Sequence, residues 1–357
     1  GRMGLVGVDV HHDVITSRAS SLDVGTGVRT ESASRYPTGS SQTQTGVFAS
    51  VTQTPIEGFT VHGGLRGSLF GLDIQPRAAT EAEAPTAGVS DLSTELTGAL
   101  GARVRLVNGV AWLVNGGRGV RAPNVQDLAA VGTRSKGTYQ VANLELSPEH
   151  STTGDTGFDV DFPRWSAQTV LFLVEHRDAI VLGPTTVDGA SVAPDGSLYV
   201  HSINAATVRV HGAEGSIDAE VLPRVRLWLR WLLMLGLQRN PAGTDAPRET
   251  YADRIPPHQG ELGLWYEPSR WRLGAFLAAR ERQDRLNDPV NTGDNRIPAE
   301  GTPGFLTLHL RAMLRATDEI RVRLALDNVT NELVLEHGNG FYGAGFSGTL
   351  GAEVVLR

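Results

Sequence analysis

The sequence contains no cysteine and only 3 methionines in 357 residues. That excludes disulfides, thiolate metal centres and cysteine nucleophiles. Its net charge of −7 is mild for the length, so no broad basic surface points to nucleic acid. Long apolar runs are also missing. The longest, Val225 to Leu237, is broken by Arg226 and Arg230, whereas a spanning helix needs about 20 mostly apolar residues. The first residues, Gly1-Arg2-Met3-Gly4-Leu5, enter an alternating pattern at once and do not read as a secretory leader. The expectation is therefore a piece of a longer exported chain. Enzyme signatures are absent as well: there is no Gly-x-Ser-x-Gly elbow and no Gly-x-x-x-x-Gly-Lys loop. Ser202 follows His201 directly, and neighbours on a strand point apart. An enzyme is not expected.

What the chain has is period two. From Val225, the residues Val225, Leu227, Leu229, Trp231, Leu233, Leu235 and Leu237 alternate with Arg226, Trp228, Arg230, Leu232, Met234 and Gly236. On a strand the two sets face opposite sides. A helix would place the two arginines within an apolar surface and leave no clean polar face. The pattern recurs in Ala102–Leu106, Trp271–Leu277, Leu306–Arg315, Ile320–Leu326 and Leu350–Leu356. These segments are long for a soluble sandwich, whose strands cluster near 5–6 residues. Aromatics (Trp165, Trp265, Tyr266, Trp271, Tyr342, Phe346) fall near strand ends, where an interfacial girdle would place them. Short turns, such as Val107-Asn108-Gly109 and Glu267-Pro268-Ser269-Arg270, alternate with long polar connections at about 17–43, 73–90, 119–147, 181–196, 240–255, 284–302 and 328–346. The reading is an all-β chain, a transmembrane antiparallel β-barrel of about 14 strands, forming one domain over 1–357 in contact with outer-membrane lipid.

Particular segments then bring a family into view. Gly117-Arg118-Gly119-Val120-Arg121-Ala122-Pro123-Asn124-Val125-Gln126-Asp127-Leu128 resembles a signature of TonB-dependent receptors, in which a strand ends in Phe-Arg-Ala-Pro-Asn and a helical turn follows. Val120 stands where the aromatic is usual. Val141-Ala142-Asn143-Leu144-Glu145-Leu146-Ser147-Pro148-Glu149 is similar to the segment that opens the family's next strand, without its first proline. Three later segments match in order: Ile255–Gly260, Arg296–Phe305, and Leu324-Ala325-Leu326-Asp327-Asn328-Val329-Thr330-Asn331. The resemblance implies a C-terminal portion of a 22-stranded type of barrel. A plug and the N-terminal strands would lie elsewhere, on the same or a separate chain. It further implies a TonB complex reached through the plug, and uptake of a scarce ligand such as a ferric siderophore. The alternative is a passive pore or structural barrel subunit of an envelope complex. The family usually ends on an aromatic; this sequence has Leu356 there, followed by Arg357.

The polar face of the alternation carries the candidate ligand contacts: Arg226, Arg230, Arg272, Arg280, Arg311 and Arg315, with Arg321 and Arg323 beside them. Guanidinium groups bind carboxylates and phosphates in a bidentate manner, so an anionic small molecule is the ligand class they suit. The plainer alternative is that they pair with acids on neighbouring strands or on a plug. No metal site or cofactor is expected, since the histidines lack chelating spacing and adjacent His11 and His12 would face apart. The acidic loop pairs Glu81 with Glu83 and Asp284 with Asp288 read as solvated residues and not as calcium ligands.

Overall fold

The structure is a computed structural model, and it describes residues 1–76, 88–134, 137–239, 248–252, 254–286 and 296–355. Glu81, Glu83, Asp288, Leu356 and Arg357 lie outside the described residues.

Long strands follow one another around a single sheet: β1 (Arg2–Val14), β2 (Ser41–Ile56), β3 (Phe59–Ile74), β4 (Val89–Val107), β5 (Val110–Arg121), β6 (Glu149–Phe162), β7 (Trp165–Pro184), β8 (Leu198–Leu222), β9 (Val225–Arg239), β10 (Gln259–Tyr266), β11 (Trp271–Arg280), β12 (Phe305–Arg315), β13 (Ile320–Asp327) and β14 (Ser347–Val354). Each pairs antiparallel with the next in the chain, and the register is nearly unbroken. This is the meander that the alternation predicts, with the expected number of strands.

The turns that reverse it are chemically fitted to the task. β2 to β3 turns on Glu57-Gly58, with Gly58 at φ 82°, and β4 to β5 on Asn108-Gly109, with Gly109 at φ 80°. Two-residue hairpin loops need positive φ at such positions, and glycine supplies it without a steric cost. The opposite end carries the long connections. One of these holds a small hairpin, Ala19–Leu22 against Arg29–Ser32, whose intervening turn is tied by Asp23. The Asp23 carboxylate accepts from Gly25 N at 2.8 Å and Thr26 N at 2.9 Å, and these amides hold it below the usual carboxylate range.

Burial separates the two faces. Leu96 and Leu100 on β4 are 62% and 69% exposed. With Leu65 on β3 and Leu171 on β7, which are also exposed, they form an apolar outer surface, as expected of a face turned to lipid. The intervening residues face inward: Asp9, Arg66, Asn115, Asp155 and their neighbours bond across strands. Trp112, Phe158, Trp165, Tyr266 and Trp271 lie exposed on the outer face near the short turns, which is half of the expected girdle. Trp265 departs from that expectation. Period two puts it on the opposite face from Tyr266, so its ring lies inside the barrel.

Large inner side chains lie flat against the wall. A Cβ added at Gly263 would collide with the Trp228 ring, one at Gly274 with Trp265, and one at Gly7 with Phe48. In each case an aromatic folds across a glycine on the adjacent strand, covering the bare backbone. The small packed core sits at the loop end, where Ile74, Val125, Leu128 and Ala129 are buried together and Ile15, Leu72, Leu144 and Leu146 pack around them.

Among the described residues the wall does not close on itself. β1 pairs with β2, β14 pairs with β13, and among the described residues no register joins β1 to β14.

Candidate functional site

The inner wall between β8 and β14 brings together every arginine that the sequence pattern singled out. Register places Arg226 and Arg230 on β9, Arg272 and Arg280 on β11, Arg311 and Arg315 on β12, and Arg321 and Arg323 on β13, all on the inner face. The group splits by partner. Arg311 bonds Asp327 at 2.5 Å, Arg272 meets Glu267 at 2.9 Å, and Arg280 lies 3.5 Å from Glu261. Glu353 on β14 takes both Arg321, at 3.7 Å, and Arg323. Arg226, Arg230 and Arg315 have no acid within ion-pair distance among the described residues. Pairing with neighbouring acids thus accounts for part of the set and leaves three guanidiniums over.

Aromatic rings interleave these cations, which the sequence reading did not anticipate. Arg230 lies over Trp228 at 4.9 Å, Arg272 over Trp265 at 4.2 Å, and Arg311 over Phe276 at 5.2 Å. Phe276 stacks on His309 with ring centroids 4.5 Å apart, and Trp228 packs on Phe276 at 5.7 Å. His309 Nδ1 in turn lies 2.8 Å from Asp327 Oδ1. Each cation–π contact is worth about 0.5–1 kcal/mol at such semi-exposed positions. Their larger effect is to hold guanidinium planes and rings in one layer along the wall. The signal was present in the alternation, because Trp228, Trp265 and Phe276 share parity with the arginines. They are hidden to any reading that assigns aromatics to the girdle by default.

A second inner site forms at the loop end, built from the two quoted motif segments. β5 ends at Arg121, and the chain passes Ala122 and Pro123 to Asn124. Asn124 caps a short helical turn, α1 (Val125–Ala129): Asn124 Oδ1 accepts from Asp127 N at 3.0 Å, and Asp127 Oδ2 accepts from Asn124 N at 3.1 Å. This is a capping box with aspartate as its third residue. Arg121 then reaches both segments, bonding Asp127 at 2.6 Å and also Glu149. Glu149 Oε1 accepts from the amide of Ile180 at 2.6 Å. Asn143 ties the connection back, donating to the Ser202 carbonyl at 2.8 Å and accepting from Glu145 N at 3.1 Å. Leu144 joins the buried core, while Pro148 and Pro123 line a cleft of about 330 Å³ beside it. Asn328 acts at a distance from all of these. Buried, at φ 49°, it braces the loop between β13 and β14, donating to Glu332 O at 2.8 Å and accepting from Glu332 N at 2.9 Å.

Arg121 and Asn124 also border a polar inner cleft of about 440 Å³ with His11, Gln44, Arg66 and Thr97. Arg66 is held there by Asp9 through bonds of 2.6 and 2.8 Å. Among the described residues no group of histidine and carboxylate side chains is placed to hold a metal ion.

Comparison with known proteins agrees with this geometry. Residues 4–329 match the family model for the TonB dependent receptor-like beta-barrel. The fold is similar to that of the copper transporter OprC (TM-score 0.77, 18% identity, covering 99% of this chain and 56% of that one). It is likewise similar to the Serratia marcescens hemophore receptor HasR (0.70, 16%, 99% and 58%) and to the FrpB iron transporter from Neisseria meningitidis (0.64, 17%, 88% and 46%). The chain therefore spans about half the length of the solved structures it matches. No curated protein matches the sequence.

Proposed function

We propose that this chain, which belongs to the TonB-dependent receptor β-barrel family, supplies part of the barrel wall of an outer-membrane receptor that takes up a scarce anionic ligand such as a ferric siderophore. The long connections face the cell exterior and the short turns face the periplasm, as their lengths require in such barrels. Uptake is binding followed by gated passage, with a plug and a TonB complex supplying the gate and its energy, and no bond is made or broken.

The observation that carries the anionic ligand is the surplus of inner-wall guanidiniums: Arg226, Arg230 and Arg315 lack acidic partners among the described residues, and Arg230 lies over an aromatic ring. A guanidinium without an acidic partner, lying beside a π-face, suits a planar, negatively charged aryl ligand. The similar structures that support the reading include a copper transporter and an iron transporter, so the metal itself is not fixed by kinship. The test is tryptophan quenching of the purified chain by a ferric tris-catecholate complex. Saturable quenching is expected, weakened about tenfold or more when Arg226, Arg230 and Arg315 are changed together to Gln. Quenching that does not saturate, or that is indifferent to the three substitutions, would remove the arginine wall from ligand binding.

A further inference from the structure

His309 lies one row toward the loops from Arg311 on β12, on the inner face and directly opposite Phe276 on β11. Its ring is held at both nitrogens and on one face. Nδ1 lies 2.8 Å from Asp327 Oδ1, and Nε2 lies 2.9 Å from Thr307 Oγ1. The ring stacks on Phe276 with 4° between the planes. The amide of Asn328 is 3.5 Å from Nδ1, too far to displace a carboxylate at 2.8 Å. The side chain is 17% exposed, so the lumen reaches it.

These partners fix where the hydrogens sit. An ionised carboxylate only accepts, so Nδ1 carries a hydrogen in both charge states of the ring. In the neutral ring, Nε2 accepts from the Thr307 hydroxyl. In the protonated ring, Nε2 donates to Thr307 Oγ1, and the hydroxyl hydrogen turns toward the Ala278 carbonyl, 3.5 Å away. Thr307 is 3% exposed, so its hydroxyl depends on these two acceptors. The site therefore accepts a proton by rotating one hydroxyl, with every heavy atom in place.

The proton changes the charge balance of the wall. Asp327 Oδ1 is shared, accepting from Arg311 at 2.5 Å as well as from His309. With a neutral ring, one carboxylate balances one guanidinium. With a protonated ring, two cations compete for that carboxylate, and both lie against the Phe276 ring, at 4.5 and 5.2 Å. Neighbouring charges leave this gain intact. On β11, Arg272 and Arg280 are turned to Glu267 and Glu261, and on β13, Arg321 and Arg323 are turned to Glu353. The loop after β13 reaches the ring through the uncharged Asn328.

We infer that His309 is a proton-dependent specificity residue of the arginine wall. Its protonation frees Arg311 from full pairing with Asp327 and adds an unbalanced cation to Arg226, Arg230 and Arg315, so anions bind more tightly as pH falls. The inference rests on the anion-binding reading of that wall. Histidine is the side chain that changes charge between about pH 5 and pH 8. By reciprocity, an anion that prefers the charged ring strengthens the ring's hold on its proton.

Naphthalene disulfonate tests it, being a planar dianion whose own charge is constant over that interval. Its affinity for the purified chain in detergent, read by tryptophan quenching, should rise about tenfold from about pH 8 to about pH 5.5. His309→Gln and His309→Phe, the second keeping a ring on Phe276, should bind at both pH values as the native chain does at the higher one. Nitrogen-15 NMR of the histidine rings reads the proton without ligand, with His309 assigned by its loss in either variant. The native ring is expected to pass from one bare nitrogen to two protonated ones. A ring that keeps its bare nitrogen at the lower pH overturns the inference, as does a folded variant whose affinity still rises on acidification. Binding that ignores pH but still requires Arg226, Arg230 and Arg315 would remove His309 alone. A dianion that binds at neither pH would remove the arginine wall together with it.

Discussion

At the level of single residues, Arg121 joins what the sequence kept apart. Its guanidinium bonds Glu149, which opens β6, and Asp127, which closes the capping box of α1. Both carboxylates are only 17% exposed while Arg121 is 45% exposed, so the cation screens two acids that have little water of their own. Burial opposes ionisation of such acids, and a charged partner offsets that cost. Removing Arg121 is therefore worse than removing one surface ion pair. Arg121→Ala should lower stability by about 2 kcal/mol, read from the urea midpoint of the refolded chain, and Arg121→Lys should recover less than half of the loss because one ammonium cannot serve two acids in fixed geometry. An Arg121→Ala midpoint equal to the native one would reduce this node to an ornament of the loop. The motif letters marked Arg121 and Glu149 as important but gave no hint that they touch. That contact depends on β5 and β6 pairing Arg121 opposite Glu149 across a connection of more than twenty residues.

At the level of elements, period two carried most of the fold. Strand existence, the meander and the inner placement of Arg226, Arg230, Arg272, Arg280, Arg311 and Arg315 follow from alternation alone, because one residue of slip would turn every leucine inward. What alternation cannot carry is the cross-strand partner. Nothing in the text of β10 says that Gly263 sits under Trp228, or that Gly274 on β11 sits under Trp265. These pairs depend on register, which the turns fix at one end and side-chain packing confirms along the strand. They also decide the shape of the inner wall, since a ring lying over glycine leaves the interior open. Gly274→Val should lift Trp265 off the wall, break its contact with Arg272 and cost about 2 kcal/mol by overpacking. The accompanying sign is a red shift of tryptophan emission as the ring enters water. An unshifted spectrum would mean that the ring has room elsewhere along the wall.

At the level of the whole molecule, the two ends of the sheet pose the sharpest constraint. β1 pairs only with β2 and β14 only with β13 among the described residues, so one line of backbone donors and acceptors on each is left without a strand partner. In hydrocarbon each unsatisfied peptide group costs several kcal/mol, and a spanning sheet with open edges is not a stable end state. Two arrangements satisfy the edges. Further strands complete the wall, which fits a chain spanning about half of its structural relatives, or the sheet curls until β1 meets β14 as a smaller pore. The absence of cysteine makes the choice measurable. In a Val8→Cys/Leu350→Cys variant the thiols bridge only when the Cα atoms approach to within about 7 Å. Oxidation in lipid should give no intramolecular disulfide, and planar bilayers should record no steady conductance from this chain alone. A rapid, quantitative disulfide together with a constant open pore would establish closure as a small barrel, and would move the arginine wall from a receptor's binding surface to the lining of a passive channel.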